Sequence, residues 1–203
     1  MVFLGGIKMN NIREMKLGMI TVLTGLIMLM LYLMMAFSSS SITVNEQTLI
    51  RTGAILPSSV YQNEIYRYFV AHLLPRNILD LLVIVLLLIP VLNQVEIELK
   101  KSKFLLLLLS IMVITGIINS LFINSAYSGY YSLLYGFIGV MYGFGRKNPV
   151  YRIIVNSYAV IIIFSFVISL ISGSTSQVII LSVALIVGFI LGLIFYNPKK
   201  RGA

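Results

Sequence analysis

Between Lys103 and Arg146 the chain runs for 42 residues without one charged side chain. A helix needs about 20 residues to cross about 30 Å of hydrocarbon at 1.5 Å per residue. The run is therefore long enough for two crossings, and its middle, 124-NSAYSG-129, is small and polar, which predicts a tight turn there. The uncharged run from Ile153 to Pro198 repeats the pattern, with its break at 172-SGSTS-176. Dividing the remaining apolar runs by the same length predicts six helices, over 17–37, 68–92, 104–123, 130–145, 153–171 and 177–196. The expectation is an all-α membrane protein, a six-transmembrane-helix bundle in a single domain spanning 1–203. The first run follows Lys8, Arg13 and Lys16 and lacks a small-residue cleavage site, so it reads as a retained anchor. Segment 38–66, with Asn45, Glu46, Arg51, Pro57 and Glu64, reads as a long polar loop. Pro90 is expected to kink the second helix or end it early, and Ile111 in the third is expected to face lipid.

Composition agrees: 59% of the residues are hydrophobic and 10% charged, against about 25% charged in a soluble domain. The net charge of +9 does not point to nucleic acid, because the basic residues sit in short clusters between apolar runs. Counting on alternate sides puts Lys8, Arg13, Lys16, Lys100, Lys101, Lys103, Arg146, Lys147, Arg152, Lys199, Lys200 and Arg201 on one face. Only Arg51, Arg67 and Arg76 fall on the other, which predicts both termini in the cytoplasm. With no Cys and one His, no metal centre and no cofactor is expected.

Glycines four apart occur in the predicted fourth helix, Gly139 and Gly143, and in the sixth, Gly188 and Gly192. This spacing lets helix backbones approach closely where lipid supplies no hydrophobic drive. Three further stretches add to the pattern. They are 48-TLIRTGAI-55, the pair Glu64 and Arg67 in 64-EIYR-67, and 129-GYYSLLYGFIG-139, in which Gly129, Gly136 and Gly139 recur. Together with six helices, a long first loop and an acidic residue at Glu96, this ordered set resembles the rhomboid family of intramembrane serine proteases over roughly residues 45 to 195.

The resemblance also marks departures. In that register the nucleophilic serine position holds Tyr131 and the catalytic histidine position holds Leu185. The second-helix positions that carry two histidines and an oxyanion-stabilising asparagine in the family hold Pro75, Asp80 and Ile84. A serine is a weak nucleophile until a base within about 3 Å takes its proton, and an oxyanion donor supplies about 2.7–4 kcal/mol. Leu185 and Ile84 do neither. The resemblance thus implies a rhomboid pseudoprotease of a bacterial cytoplasmic membrane that binds transmembrane segments of partner proteins and contacts membrane lipids. Two alternatives stay open: a protease using Ser132, and a membrane subunit or immunity-type protein of a larger complex.

Ser132 lies about 100° around a helix from Tyr131, so it is expected to point away from the lost site and bond its own helix backbone. His72 is expected as an interfacial polar residue. Asp80, at a depth where a carboxylate costs about 2.5–3.5 kcal/mol, should face the interior with Arg76 or a tyrosine hydroxyl as partner. Asp80, Tyr131 and Tyr135 are the candidate binding residues, and Tyr127, Tyr130, Tyr131 and Tyr135 are expected to fill the vacated cavity. Glu96, Glu98, Lys100, Lys101 and Lys103 read as a solvated loop.

Overall fold

The computed structural model describes residues 17–57, 64–123, 125–171 and 175–196, apart from the side chains at 150 and 169. Residues 172–174 of the predicted break at 172–176, the residue at 124 and the basic clusters at both ends lie outside the described residues, while Thr175 and Ser176 already belong to a helix. The described residues form helices α1 Met19–Ser39, α2 Glu46–Thr52, α3 Arg67–Val70, α4 Ile78–Val83, α5 Ile89–Glu98, α6 Lys101–Phe122, α7 Tyr130–Lys147, α8 Pro149–Ile171 and α9 Thr175–Phe195. A π-turn, Ile84–Leu88, joins α4 and α5 into one rod. Five helical stretches are long and apolar enough to cross a membrane: Met19–Ser39, Ile78–Glu98, Lys101–Phe122, Tyr151–Ile168 and Thr175–Phe195. The protein is a multi-pass membrane protein. The remaining long helix, α7, is the enclosed one, with 13 of its 18 residues buried.

The interior of this bundle is organised by the absence of side chains. A Cβ on Gly139 would overlap the Leu185 carbonyl oxygen, and one on Gly188 would overlap the Gly136 carbonyl oxygen. Gly143 and Gly192 face backbone in the same way, against Leu193 and Val140. The two glycine spacings therefore face each other, and α7 lies backbone against backbone on α9. Dispersion between closely packed main chains holds such a seam, which any larger residue would pry apart.

One end of the bundle gathers the start of α1, the end of α5, the end of α7 and the end of α9. Gly18 N–H donates to Asn93 Oδ1 at 2.7 Å, and Lys147 Nζ donates to the carbonyls of Leu193 and Tyr196 at 2.7 and 3.1 Å. The starts of α6 and α8 belong to the same end, since each follows its predecessor by a short turn.

Five expectations need correction. The helix expected over 68–92 is divided: α3 and a 3₁₀ turn, Ala71–Leu73, stop before an extended segment at 74–76, and the spanning helix starts at Ile78. Pro75 breaks the first piece, and Asn77 caps the second by accepting from Asp80 N–H at 2.9 Å. Pro90 does not end the helix, which runs on to Glu98. The wider π-turn just before it makes room for the ring and the missing N–H. Segment 38–66 is not only loop, because α2 forms there with Asn45 accepting from Thr48 N–H at 2.8 Å. It ends at Gly53, whose φ of 116° a side chain would resist. Ile111 is fully buried and packs against Gly136.

Glu96 supplies the fifth correction. It belongs to α5, is 6% exposed, and caps α1 from another helix. Its carboxylate accepts from Ile20 N–H at 3.0 Å and from both Thr21 N–H and Thr21 Oγ1 at 2.7 Å. The first N–H groups of a helix have no partner within it and carry partial positive charge, so a carboxylate there satisfies several donors at once.

Candidate functional site

The site is built where α7 begins. The segment 126–129 that leads into it is gripped by the first loop. Ile55 and Tyr127 exchange backbone hydrogen bonds at 3.0 and 2.9 Å, Gly129 N–H donates to the Ala71 carbonyl at 2.8 Å, and Ala126 N–H donates to Glu46 Oε1 at 3.1 Å. Arg76 Nη2 donates to the Ala126 carbonyl, and Ser128 Oγ donates to the Leu74 carbonyl. The loop itself is held by Arg67. Its buried guanidinium pairs with Glu64 and donates to the carbonyls of Ile50 at 2.7 Å and Ala54 at 3.0 Å, closing the end of α2.

Asp80, in the first turn of α4, links this loop to α7. Its Oδ2 accepts from Arg76 N–H and its Oδ1 from the Tyr130 hydroxyl, both at 2.7 Å, and the carboxylate is 7% exposed. A carboxylate at this depth is tolerated because both oxygens receive donors.

His72 is fully buried, not interfacial. Its Nδ1 lies 2.8 Å from the Tyr68 carbonyl and its Nε2 lies 2.9 Å from Thr115 Oγ1, while Gly129 sits on its ring. A carbonyl only accepts, so Nδ1 carries the proton in the neutral ring, and the single Thr115 hydroxyl proton is shared between Nε2 and the Ile111 carbonyl 2.6 Å away. Burial pushes its pKa down to about 4, with the Tyr68 carbonyl pulling the other way.

Tyr131 and Ser132 face in different directions. Ser132 is fully buried and accepts from Asn119 Nδ2 at 2.9 Å; the Tyr127 phenol is also hydrogen-bonded to it. Its partners are side chains on other segments, which corrects the expectation that it bonds its own helix. Burial pushes the Tyr127 phenol up to about 12, against the pull of Ser132 and Arg76. Tyr131 is 38% exposed and, with Tyr127, Tyr135, Ser165, Ile168, Gln177 and Leu181, lines a cavity of about 280 Å³ bounded by α7, α8 and α9. Its ring lies 4.1 Å, centroid to centroid, from that of Tyr130.

Of the three candidate binding residues, the cavity brings together Tyr131 and Tyr135, while Asp80 stands behind Tyr130 and does not line it. Leu185 is half-buried and apolar, with its carbonyl against Gly139. Ile84 is buried at the start of the π-turn, and Pro75 lies in the extended segment before α4. These positions therefore present no acid–base chemistry.

Asn119 and Thr115 were not singled out by the sequence, although both are buried and touch the two most reactive side-chain types in the site. A signal was present: with Gly116 and Ser120 they interrupt an otherwise aliphatic helix at three- and four-residue steps, which marks an inward polar stripe.

Among the described residues no cluster of His, Cys, Asp and Glu is positioned to hold a metal ion. A family model described as Rhomboid domain matches residues 62–198, two thirds of the chain. No curated protein matches it.

Proposed function

This chain belongs to the rhomboid family, and we propose that it is a non-catalytic member. In this reading it is a six-span protein of a bacterial cytoplasmic membrane, with both termini in the cytoplasm. It takes up transmembrane segments of partner proteins sideways from lipid and does not cut them.

The observation that carries the reading is where the chain's one histidine sits. A serine that attacks a peptide bond needs a base about 3 Å from its hydroxyl. Both nitrogens of His72 are engaged elsewhere, by the Tyr68 carbonyl and Thr115. Ser132 instead meets the amide of Asn119 and the phenol of Tyr127, and neither accepts a proton readily near neutral pH. The cavity behind α8 supports lateral binding: it offers hydroxyl and amide groups to a helix segment whose own backbone is incompletely paired, next to apolar walls. The six-span topology is supported by Lys100, Lys101, Lys103, Arg146, Lys147 and Arg152, which fall at the end of the bundle where α1 starts and α9 finishes.

The test uses the full chain in proteoliposomes with a labelled model transmembrane substrate and a serine-directed phosphonate. No cleavage, no labelling of Ser132, and co-purification of an intact transmembrane partner are expected. Cleavage that disappears with Ser132→Ala would overturn the proposal in favour of a serine protease.

A further inference from the structure

A second concave site lies at the opposite end of α7, where the chain turns into α8. Tyr142, Gly145 and Arg146 from α7 and Arg152, Val155 and Asn156 from α8 line a cavity of about 230 Å³. At about 30 Å³ of liquid volume per water, that is room for roughly eight waters.

Two arginines face this cavity from adjoining helices. Neither forms an ion pair among the described residues, where Arg67–Glu64 is the ion pair observed. Lys147, between them in sequence, is used differently, since its ammonium is committed to the carbonyls at the end of α9. Arg152 also lies in the first turn of α8, the end of a helix that carries partial positive charge and disfavours a cation. An anion in the cavity would offset that repulsion while meeting both guanidiniums.

The depth of the cavity indicates what brings the anion. Phe144, Tyr151 and Tyr196 form an aromatic cluster at this end, with ring centroids 4.5 to 6.3 Å apart. These rings are buried in the bundle, and the cavity beside them lies where the spanning stretch of α8 begins, at Tyr151, which is the level of lipid headgroups. Below it, α8 is mostly uncovered: 11% of its spanning window is buried, and Ile153, Val160, Ile163 and Phe164 are all exposed. An acyl chain lying along that face would start from the cavity.

We propose that the Arg146–Arg152 cavity binds the phosphate of an anionic phospholipid headgroup, one lipid per chain, with its acyl chains along α8. Arginine suits this task because its planar fork meets two phosphate oxygens at once, and Asn156 and Tyr142 add polar groups beside it.

The full chain is purified in phosphatidylcholine nanodiscs containing a minor fraction of phosphatidylglycerol, and retained lipids are counted by native mass spectrometry. Wild-type protein is expected to keep one phosphatidylglycerol, and the double variant Arg146→Gln/Arg152→Gln to retain it about tenfold less. Lys100→Gln/Lys103→Gln removes the same charge from the same end without touching the cavity, and it should leave that lipid in place. Equal loss in the lysine variant would mean diffuse surface attraction and would overturn the site. A separate arm offers glycerol 1-phosphate to protein in phosphatidylcholine alone. Saturable binding there would show that a free phosphate ester is the ligand and would also overturn the proposal. If the double glutamine variant fails to fold, Arg152→Lys keeps the charge but removes the fork, and weaker retention with unchanged thermal stability is the expected result. Unchanged retention in that variant counts against the bidentate site.

Discussion

Helix α7 meets two of its long neighbours, α8 and α9, in opposite ways. Against α9 it presents Gly136, Gly139 and Gly143, so that main chains touch and no side chain intervenes. Against α8 it presents Tyr131 and Tyr135, bulky rings that leave a cavity of about 280 Å³. The first interface has one solution, since a packed seam of glycines cannot be rearranged without losing contact along its whole length. The second has slack, and half of the window in α6 is buried against 11% in α8. The difference separates frame from open wall: α6, α7 and α9 hold the fold, and under the proposed function α8 is the wall past which a lateral ligand would come.

The largest effect should come from breaking the seam. Gly188→Leu would drive a side chain into the Gly136 carbonyl and should cost about 4 kcal/mol or more, leaving no monodisperse protein on size exclusion in mild detergent. Val160→Leu, on the exposed face of α8, should behave as wild type. Equal tolerance of the two would erase the distinction between the interfaces.

Next comes the polar tether that replaces a glycine seam for α1. Glu96→Ala strands Ile20 N–H, Thr21 N–H and the Thr21 hydroxyl. The loss should be about 2–3 kcal/mol, read as a lower thermal midpoint and as faster proteolysis before α1. Glu96→Gln should recover part of it, since an amide oxygen still accepts.

These two cases also show how far the sequence could be read. The glycine positions were legible because small residues four apart on two helices have few other uses in lipid, whereas that the two sets face each other came from the structure. The tether was not, because Glu96 acts on residues 75 and 76 positions away, and a carboxylate beside a lysine cluster looks like any solvated turn. Ile111 was misplaced for a different reason. The run 104-FLLLLLSIM-112 is apolar all round, so periodicity carries no information about which side is inside. The start of α4 was written in the sequence as Asn77 three residues before Asp80, a capping pattern, but the apolar residues from Tyr68 onward concealed it.

His72 sharpens the comparison on the frame side, as a polar group locked beneath Gly129. Its pKa is lowered to about 4 in the folded protein from 6.5. Between those values the unfolded chain binds a proton that the folded one refuses, so stability is full above pH 6.5 and falls as pH drops toward 4. At pH 5.5 the loss should be about 1.4 kcal/mol, seen as a lower thermal midpoint than at pH 7.5. His72→Gln should flatten this dependence. A midpoint that does not change over that range in the wild type would show that His72 is open to protonation, and the frame would then be looser at this end than at the seam.

The smallest effect on stability should accompany the largest effect on binding. Tyr131 is partly exposed and lines the cavity, with its phenol hydrogen-bonded to that of Tyr130. Tyr131→Ala enlarges a space that already exists and removes its hydrogen bond to the Tyr130 phenol, which keeps Asp80 as a partner, so the thermal midpoint should move little, by the equivalent of about 0.5–1 kcal/mol. If α8 is the working wall, the same change should still weaken capture of a transmembrane partner in native membranes, because it removes the cavity's exposed phenol. Tyr130→Phe is the matched control from the frame side: it leaves the cavity wall intact but removes the donor to Asp80 Oδ1, so it should lower stability by about 1–3 kcal/mol with partner capture unchanged in whatever folds. Should Tyr130→Phe abolish capture while Tyr131→Ala leaves it alone, the ligand would be meeting the loop around Asp80, and the open wall would lie on the second spanning helix.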